Sequence, residues 1–359
     1  MKQKLKIAQV APMWFSIPPK KYGGTERIIH YLTEELQKRG HKVTLFAPGD
    51  SKTSARLVAF LKKGAISLGA KWPDYWWNLI NHSIAFERAD EFDIIHCHWG
   101  IMGAFFQRLV KTPVVHTMHN IPQASHMRWK VFEYYKNDLN LVFISKSEMR
   151  NSPMKFKNSW VVYNGIDISQ FKFNPKPKDH FVWIGRVSPA KGIENAIKVA
   201  KKLKLKLLLA GQIQPSWRNY FETVVKPQLD SRIKYIGEIS QRQLSKFYRE
   251  AKALLYPIEW EEPFGLVMVE AMACGTPVIV FERGSAKEVV KDGKTGFVVP
   301  FKDKRGRKNI NGLVEAVKKI DQIKREDCRK WVEENFTYQK MVDGYEKVYY
   351  QILKQHKLL

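Results

Sequence analysis

The sequence predicts an α/β protein with two Rossmann-like domains, each built on a parallel sheet. Apolar runs of strand length alternate with longer segments whose apolar residues recur at helical spacing, as in parallel sheets covered by helices. The 359 residues are enough to form two hydrophobic cores. Between the two series, the segment 174–179 (NPKPKD) carries two prolines among polar residues, which favours a linker.

The first series opens as a strand, a glycine loop, a helix and a second strand. Leu5 to Ala11 predicts the strand, and Thr25 to Arg39 predicts a helix that Thr25 can cap. The pair Gly23-Gly24 stands just before this helix, where a backbone without side chains lets a phosphate or sugar approach closely. This order is the opening of a Rossmann-like unit.

Further strands and helices follow the same alternation through the chain. We predict strands or strand-containing segments at 42–47, 92–98, 113–119, 139–145, 159–171, 181–185, 203–211 and 232–240, and helices at 241–251 and 338–353. The terminal helix carries its apolar side chains on one stripe, at Met341, Val342, Tyr345, Val348 and Ile352.

The most informative segment is 253–281, ALLYPIEWEEPFGLVMVEAMACGTPVIVF. Its composition predicts a strand, an acidic turn, a helix start at Pro263, a strongly helix-forming stretch from Leu266 to Ala273, a left-handed stop at Gly275 and a second buried strand. The helix start is expected to present unpaired N–H groups at Phe264, Gly265 and Leu266, which favour a phosphate or a developing anion.

Two acids of this segment, Glu262 and Glu270, lie eight residues apart. On one continuous helix this spacing corresponds to about 12 Å along the axis, which is beyond the roughly 5–9.5 Å that separates the paired carboxylates of a glycosidase. The two acids are better suited to holding two ends of an extended, hydroxyl-rich ligand. Alternatively, each is an ordinary surface acid, one at a helix start and one facing solvent.

Two cations, Arg186 and Lys191, stand on the turn GRVSPAKG between a predicted strand and helix. Two cations at such a turn can both contact a diphosphate. A lysine-rich chain also produces such pairs by chance.

Four histidines and one cysteine cluster near the predicted strand ends, at His96, Cys97, His98, His116 and His119. A zinc site usually brings a recognisable spacing, and none is present, so hydrogen-bonded histidines are the favoured interpretation. The aromatic segment 71–77 (KWPDYWW) is compatible with a sugar-stacking or membrane-interface patch, although a helix packed on the sheet is preferred.

The chain is strongly basic, with 61 Lys and Arg against 35 Asp and Glu and a net charge of +26. Residues 1–170 hold 24 basic and 13 acidic residues, and the remainder holds 37 and 22, so the excess is spread over both halves. Such a field favours anionic partners such as nucleotide sugars, acidic lipids or nucleic acid, or it serves solubility alone.

Three widely spaced cysteines and the absence of a long apolar run indicate a reducing compartment. The apolar run near the start of the chain is too short for a signal-peptide core. We therefore expect a cytoplasmic protein, with the inner face of the membrane as an alternative site.

Four segments of the chain carry a resemblance to a known family. EPFGLVMVEAMACGTPVIV resembles the donor-site signature of retaining family 4 glycosyltransferases, which have the GT-B fold, two Rossmann-like domains facing a central cleft. GRVSPAKG resembles the diphosphate clamp of that family, PPKKYGGTER resembles its N-terminal glycine loop, and HTMHN resembles its Thr-x-His motif. The resemblance covers roughly residues 5–350 and implies an acceptor domain at 1–168, a donor domain at 169–337 and a terminal helix at 338–359 that crosses back.

By this resemblance, a sugar of hexose type passes from a nucleoside diphosphate to an acceptor hydroxyl of a glycan, lipid or small molecule. Arg186 and Lys191 would neutralise the diphosphate, Glu262 would hold the donor sugar and Glu270 the ribose, with His119 completing the pocket. By the same resemblance, the donor site also includes Gly23, Gly24, Gly185, Gly237, Phe264, Gly265 and Leu266.

The resemblance implies retention at the anomeric carbon, with no cofactor beyond the donor. The chain contains no Asp-x-Asp, the motif that carries a divalent ion in many other transferases, so no metal is expected. The alternatives are a related synthase or phosphorylase and a non-catalytic binder of anionic polymers or membranes. No specific nucleic acid is expected, and the sugar, the base and the acceptor are not defined by the sequence.

Overall fold

The computed structural model of the chain describes residues 3–20, 23–71, 74–120 and 126–358. It divides the chain into two compact units, Met1–Gly165 with Tyr338–Leu359, and Ile166–Thr337. The predicted boundary after residue 168 lies within a few residues of this division. The terminal helix belongs to the first unit, and its predicted apolar stripe is buried there.

The first unit is built on a seven-stranded parallel sheet in the order β3-β2-β1-β4-β5-β6-β7. Its strands are β1 (Lys6–Val10), β2 (Lys42–Phe46), β3 (Arg56–Val58), β4 (Ile94–Cys97), β5 (Val114–Met118), β6 (Asn140–Phe143) and β7 (Asn158–Val161). The strand order reverses direction between β1 and β4. In open parallel sheets, ligands bind beyond the carboxyl ends of the strands at such a switch point.

The second unit is built on a six-stranded parallel sheet in the order β10-β9-β8-β11-β12-β13. Its strands are β8 (Phe181–Ile184), β9 (Leu207–Ala210), β10 (Ile233–Tyr235), β11 (Ala253–Tyr256), β12 (Val278–Phe281) and β13 (Gly296–Val299). All residues of β8, β11 and β12 are buried, because helices cover both faces of the sheet centre. Here the switch point falls between β8 and β11.

Helices connect the strands in both units. Those of the first unit are α1 (Gly24–Lys38), α2 (Trp76–Glu87), α3 (Ala104–Gln107), α4 (Trp129–Tyr135), α5 (Lys146–Arg150) and the terminal α13 (Tyr338–Gln355). Those of the second unit are α6 (Ile193–Leu203), α7 (Arg218–Tyr220), α8 (Gln241–Arg249), α9 (Leu266–Ala273), α10 (Ala286–Val289), α11 (Ile310–Lys318) and α12 (Arg325–Asn335). The two sheets and their helices give the α/β fold that the sequence predicts.

Two predicted helix starts are wrong. Helix α1 begins at Gly24 behind Gly23, and no side chain caps it, so Thr25 is not its cap. Helix α9 covers Leu266–Ala273, the helix-forming stretch predicted from the sequence, but it does not extend back to Pro263, because Gly265 immediately before it takes a left-handed conformation with φ +80°. The predicted stop at Gly275 is present, with φ +83°.

Among the described residues of the aromatic segment 71–77, only Trp76 and Trp77 belong to a helix, α2, which packs on β1, so the helix interpretation holds only for the end of the segment. Buried residues of this helix include Asn81, Ala85 and Phe86, whereas Trp76 in its first turn is 70% exposed. Trp72, also in this segment, lies outside the described residues. Among the described residues, no helix is long and apolar enough to cross a membrane.

Candidate functional site

The turn that follows β8 brings the predicted cations to the switch point of the second sheet. After Gly185 and Arg186, a short 3-10 turn over Pro189–Lys191 leads into α6 through Gly192, which has φ +70°. A Cβ on Gly192 would lie 1.8 Å from the carbonyl oxygen of Pro257, so only glycine lets this turn pack against the end of β11. The indole N–H of Trp183 donates to the Lys191 carbonyl at 3.1 Å and fixes the turn from below.

Lys191 and Glu262 form an ion pair at this position. Lys191 Nζ lies 2.6 Å from Glu262 Oε2, and both side chains are largely buried. The same carboxylate oxygen accepts hydrogen bonds from the Tyr256 hydroxyl at 2.9 Å and from the Trp260 indole N–H at 3.1 Å. The ammonium also lies 4.6 Å from the centre of the Trp260 ring, a distance at which a cation–π interaction forms. Three donors therefore converge on Oε2 and hold the carboxylate in one orientation.

This environment keeps Glu262 ionised although the residue is only 8% exposed. Burial by itself would raise the pKa of the carboxyl. The charge of Lys191 and the hydrogen bonds from Lys191, Trp260 and Tyr256 outweigh burial and hold the pKa of Glu262 below its ordinary value of 4.5. Its second oxygen, Oε1, receives no hydrogen bond from the described residues, so it remains able to accept one from a ligand hydroxyl.

The amino end of α9 adjoins this carboxylate. A Cβ on Gly265 would lie 3.3 Å from Glu262 Cγ, which shows how close the left-handed turn is to the acid. In the first turn of α9, the first N–H group that makes a backbone hydrogen bond is that of Met268, which donates to the Gly265 carbonyl. The N–H groups of Gly265, Leu266 and Val267 donate to no group in the part of the chain that the structure describes. This helix end can therefore bind an anion.

The late start of α9 also changes the relation between the two glutamates. Glu262 lies four residues before the helix, so the predicted 12 Å along a common axis does not apply to the pair. Glu270 lies on α9 itself and is only 2% exposed, so the interpretation of it as a solvent-facing acid is wrong. Its carboxylate accepts a hydrogen bond from the buried Tyr248 hydroxyl at 3.0 Å, and burial raises the pKa of that hydroxyl.

Arg186 differs from Lys191 in having no ion pair with any acid among the described residues, and it is half-buried. Gly185 beside it is close enough to Lys191 that an added Cβ would lie 3.6 Å from Lys191 Cγ. Gly237, in the turn after β10, has φ +81° and open space where a side chain would be. Phe264 is buried and contacts Phe336, with ring centres 5.8 Å apart.

Sequence reasoning missed three side chains that position the acids: Tyr256, Trp260 and Tyr248. Tyr256 is the last residue of β11, and its place at the carboxyl end of a central strand was a usable signal. Trp260 stands in the acidic turn two residues before Glu262, which was also visible. Tyr248 is 22 residues from its partner Glu270 on another helix, and no local pattern links the two.

The remaining predicted site residues belong to the first unit. Gly23 has φ +149°, and a Cβ there would meet Pro19 at 2.6 Å and the Glu26 carboxylate at 2.9 Å, so the loop requires glycine. Burial raises the pKa of Glu26 to about 7. Gly24 is the first residue of α1. His119 follows β5 and is half-buried, and burial lowers the pKa of its imidazole to about 4.

The histidines are hydrogen-bonded rather than arranged as metal ligands. His96 uses both ring nitrogens, with Tyr349 and Thr117 as partners at 2.7 Å each. His116 contacts Gln107, with 3.0 Å between Nε2 and Oε1. Among the described residues, no three His, Cys, Asp or Glu side chains come together as metal ligands.

Comparison with known proteins identifies the class of molecule to which this fold and site belong. A model of the group 1 glycosyl transferases matches residues 166–333, and a model of glycosyltransferase family 4 matches residues 22–170. An uncharacterized glycosyltransferase of Methanocaldococcus jannaschii is 28% identical, over 72% of this chain and 76% of its own.

Two solved structures share the fold across almost the whole chain. A sucrose-phosphate synthase from Thermosynechococcus elongatus matches with a TM-score of 0.80 and 21% identity, covering 98% of this chain and 100% of its own. HepE of Anabaena, in complex with UDP and glucose, matches with a TM-score of 0.73 and 17% identity, covering 97% and 100%. The two-domain α/β architecture is that of the GT-B fold. The chain belongs to the group 1 glycosyltransferases and is a glycosyltransferase enzyme.

Proposed function

We propose that this enzyme transfers a hexose-type sugar from a nucleoside diphosphate sugar to the hydroxyl of a glycan, lipid or small molecule. The observation that carries the proposal is the position of the Lys191–Glu262 pair beside the amino end of α9, at the switch point of the second sheet. A cation, an oriented carboxylate and unpaired amides at one place suit a ligand with a diphosphate at one end and sugar hydroxyls at the other.

In this proposal the diphosphate contacts Arg186, Lys191 and the amides of Gly265 and Leu266. Arg186 brings an unpaired guanidinium, and a guanidinium binds phosphate oxygens in a bidentate manner. Lys191 remains bonded to Glu262 and neutralises the diphosphate as a point charge. These groups stabilise the charge that develops on the leaving phosphate, which is the main electrostatic requirement of the reaction.

The sugar and the nucleoside of the donor contact the other predicted residues. Glu262 accepts a donor-sugar hydroxyl through Oε1, while its other oxygen stays held by Lys191, Tyr256 and Trp260. By resemblance, Glu270 binds the ribose and the turn at Gly237 lies beside the base. Also by resemblance, His119 and the Gly23-Gly24 loop of the first unit bind sugar or phosphate groups.

The reaction proceeds with retention and without a metal ion. The bond between the anomeric carbon and the phosphate oxygen breaks, and a bond to the acceptor oxygen forms on the same face of an oxocarbenium-like sugar. The acceptor proton passes to the departing phosphate, so the products are a glycoside and a nucleoside diphosphate. Arg186, Lys191 and the helix end supply the charge stabilisation that a divalent ion gives in other transferases.

A ligand screen followed by product analysis tests this function. Thermal unfolding is measured with UDP, GDP and ADP, with their sugars and with the matching nucleosides, because a ligand of the folded state raises the midpoint. The solved complex of HepE with UDP and glucose makes the uridine series the first to test. We expect one nucleoside diphosphate to raise the midpoint well above its nucleoside.

The donor found in this way is then incubated with candidate acceptors, and candidate glycosides are incubated separately with inorganic phosphate. Transfer to a hydroxyl supports the proposal. Release of a sugar phosphate with phosphate as the acceptor would instead assign a phosphorylase-type reaction. If no nucleoside diphosphate or its sugar shifts the midpoint, the proposed donor class is wrong.

A further inference from the structure

Seven polar side chains of the first unit form one hydrogen-bonded chain beneath the carboxyl edge of its sheet. In order, they are Tyr345, Thr117, His96, Tyr349, Gln9, His98 and His119. The first six are buried, and His119 at the end of the chain is half-buried. Gln9 lies on β1 and His96 on β4, the two strands at the switch point. A continuous polar chain in this position is expensive to bury unless each member has a defined partner.

The Gln9 amide determines which atom donates and which accepts in each hydrogen bond between these side chains. Its amide nitrogen, Nε2, donates to the Tyr349 hydroxyl at 3.1 Å. Its amide oxygen, Oε1, lies 2.6 Å from His98 Nε2. An amide oxygen can only accept a hydrogen bond, so His98 Nε2 carries the proton. A neutral imidazole has one N–H, and His98 Nδ1 is therefore an acceptor.

The proton position on His98 in turn determines the proton position on His119. His98 Nδ1 lies 3.2 Å from His119 Nε2, and because Nδ1 accepts, His119 Nε2 donates. Both imidazoles are neutral, since burial lowers the pKa of His98 well below its ordinary value and that of His119 to about 4. His119 Nδ1 is then left without a proton, and it meets no hydrogen-bonding group among the described residues.

The hydrogen bonds on the other side of Gln9, through Tyr349 and His96, are consistent with this assignment of donors and acceptors. The Tyr349 oxygen accepts from Gln9, so its hydroxyl hydrogen is available to His96 Nδ1 at 2.7 Å. His96 Nε2 then carries the proton and donates to Thr117 Oγ1 at 2.7 Å. Every donor on this side of Gln9 therefore finds an acceptor with one orientation of the Gln9 amide.

We propose that Gln9 and His98 are positioning residues that fix the Nε2–H form of His119, so that Nδ1 accepts a hydrogen bond from a hydroxyl of the substrate. This inference rests on the proposed function for the presence of a hydroxyl-bearing sugar at His119. It adds the polarity of the contact: His119 recognises a group that donates, and it does not donate to a carbonyl or phosphate oxygen. Neither Gln9 nor His98 touches the substrate in this arrangement.

The protonated nitrogen of each imidazole is read directly by two-bond ¹H–¹⁵N correlation NMR on histidine-labelled protein. The chain has ten histidines, and the signals of His119 and His98 are assigned from the His119→Gln and His98→Gln variants. In the wild-type protein we expect the Nε2–H form at both positions. The Nδ1–H form at His119, or an even mixture of the two forms, would overturn the proposal.

Substitutions at Gln9 test whether this residue is the cause. Gln9→Met removes both hydrogen bonds at similar size, and we expect His119 to become a mixture of its two neutral forms. Gln9→Glu keeps an acceptor for His98, and we expect the Nε2–H form to remain; it is also the second variant if Gln9→Met unfolds. As a control, Thr117→Val removes the hydroxyl that bonds to His96, on the side of Gln9 away from His119. We expect the Nε2–H form of His119 to be unchanged in this variant. An unaltered Nε2–H form in folded Gln9→Met contradicts the assigned role of Gln9.

A kinetic comparison gives the second readout. Donor analogues in which one hydroxyl at a time is replaced by fluorine cannot donate at that position. We expect one such analogue to lose about tenfold in kcat/KM with the wild-type enzyme, as for one lost hydrogen bond, and to lose much less with Gln9→Met. Equal losses in the two proteins would contradict the proposed contact. The NMR result does not depend on turnover, so failure of the proposed transfer reaction and failure of this inference are distinguishable.

Discussion

Lys191 and Glu262 were predicted from the sequence to bind opposite ends of one ligand. The Lys191 ammonium was predicted to contact the diphosphate, and Glu262 was predicted to hold the sugar, yet the two side chains are bonded at 2.6 Å. A buried pair of this kind is sensitive to the loss of one partner, because the other charge is left without compensation. Mutations at the two positions are therefore coupled and have to be compared with each other.

The first prediction concerns Lys191→Ala. Removing a charge-assisted contact costs about 1.5–3 kcal/mol, equivalent to a roughly 10- to 150-fold weaker affinity for the nucleoside diphosphate. Binding of the matching nucleoside, which lacks the phosphates, should change little. Isothermal titration calorimetry with both ligands measures the difference. Lys318→Ala serves as the control, because among the described residues that lysine pairs only with Glu315, on an exposed helix surface. Equal losses for nucleoside and diphosphate would show that Lys191 does not bind the phosphates.

A second prediction separates the two acids. Glu270→Gln should weaken binding of the bare nucleotide, whereas Glu262→Gln should leave it nearly intact and reduce turnover of the sugar donor. Glutamine at position 262 keeps an oxygen for Lys191 while removing the charge. Calorimetry with the nucleotide and steady-state kinetics with the donor measure the two effects. The reverse pattern would exchange the roles of the two glutamates.

The lowered pKa of Glu262 predicts a pH dependence of stability. In the unfolded chain this carboxyl titrates near its ordinary value of 4.5, whereas in the folded protein its pKa is lower. As the pH falls, the unfolded state therefore takes up the proton first. The stabilisation that ionised Glu262 contributes to the folded protein is fully present above pH 4.5, and it is lost as the pH falls through the pKa of this carboxyl in the folded state.

Glu262→Gln provides the reference for this measurement, since it lacks the titrating group. The difference in thermal midpoint between wild type and variant should be constant from neutral pH down to about 4.5 and should change below it in favour of the variant. A difference that does not vary with pH would mean that Glu262 titrates alike in both states.

At the level of elements, α9 is held at both ends by different means. Its amino end starts at the left-handed Gly265, and its carboxyl end meets two guanidinium groups. Arg329 donates to the Ala273 carbonyl at 2.9 Å, and Arg325 donates to the Cys274 carbonyl at 3.5 Å and to Thr276 Oγ1 at 2.9 Å. Cations at this end also favour the helix dipole. The helix is thereby fixed with its amino end at the switch point.

A fourth prediction uses Gly265→Ala. An alanine at φ +80° is strained by about 1–2 kcal/mol, and its Cβ would lie 2.4 Å from Met268 Cε. We expect the first turn of α9 to shift and nucleoside diphosphate affinity to fall more than stability alone explains. Gly306→Ala is a matched control, because Gly306 has φ +76° with nothing within 4 Å of the added Cβ. If both variants bind the diphosphate equally well, the amides of α9 are not part of its site.

The sequence was sufficient for the central strands, but it did not predict the edge strands β3 and β13 or the exact ends of the helices. Strands such as β11 and β12 were predictable, because short apolar runs between glycine and proline residues have few other structures open to them. The start of α9 was misplaced because Pro263 suits a helix start by itself, whereas the conformation of Gly265 depends on its packing beside Glu262 and Met268.

The candidate site was predictable where its residues lie in one motif. Arg186, Lys191, Glu262 and Glu270 were identified from two short segments. The ion pair between Lys191 and Glu262 joins residues 71 positions apart, and the hydrogen-bonded side chains from Tyr345 to His119 join three strands to the terminal helix. Contacts of this kind follow from sheet order and register, which local sequence patterns do not contain.

At the level of the whole molecule, the net charge of +26 has no counterpart in the proposed donor site, which needs few cations. We propose that the excess holds the enzyme at an anionic membrane surface. Co-sedimentation with liposomes should increase with the fraction of acidic lipid and decrease with salt, because the attraction is screened over the Debye length. Neutral liposomes are the control. An absence of binding to acidic liposomes at low salt would contradict the proposal and leave the charge to serve solubility.

The proposed reaction is tested most directly by its stereochemistry in the absence of metal. The enzyme, the donor found in the screen and an accepted acceptor are incubated with excess EDTA, and proton NMR reads the anomeric configuration of the first product formed. The proposed mechanism predicts undiminished transfer and the same configuration in product and donor. Activity that EDTA abolishes and magnesium restores, or a product of inverted configuration, would contradict it.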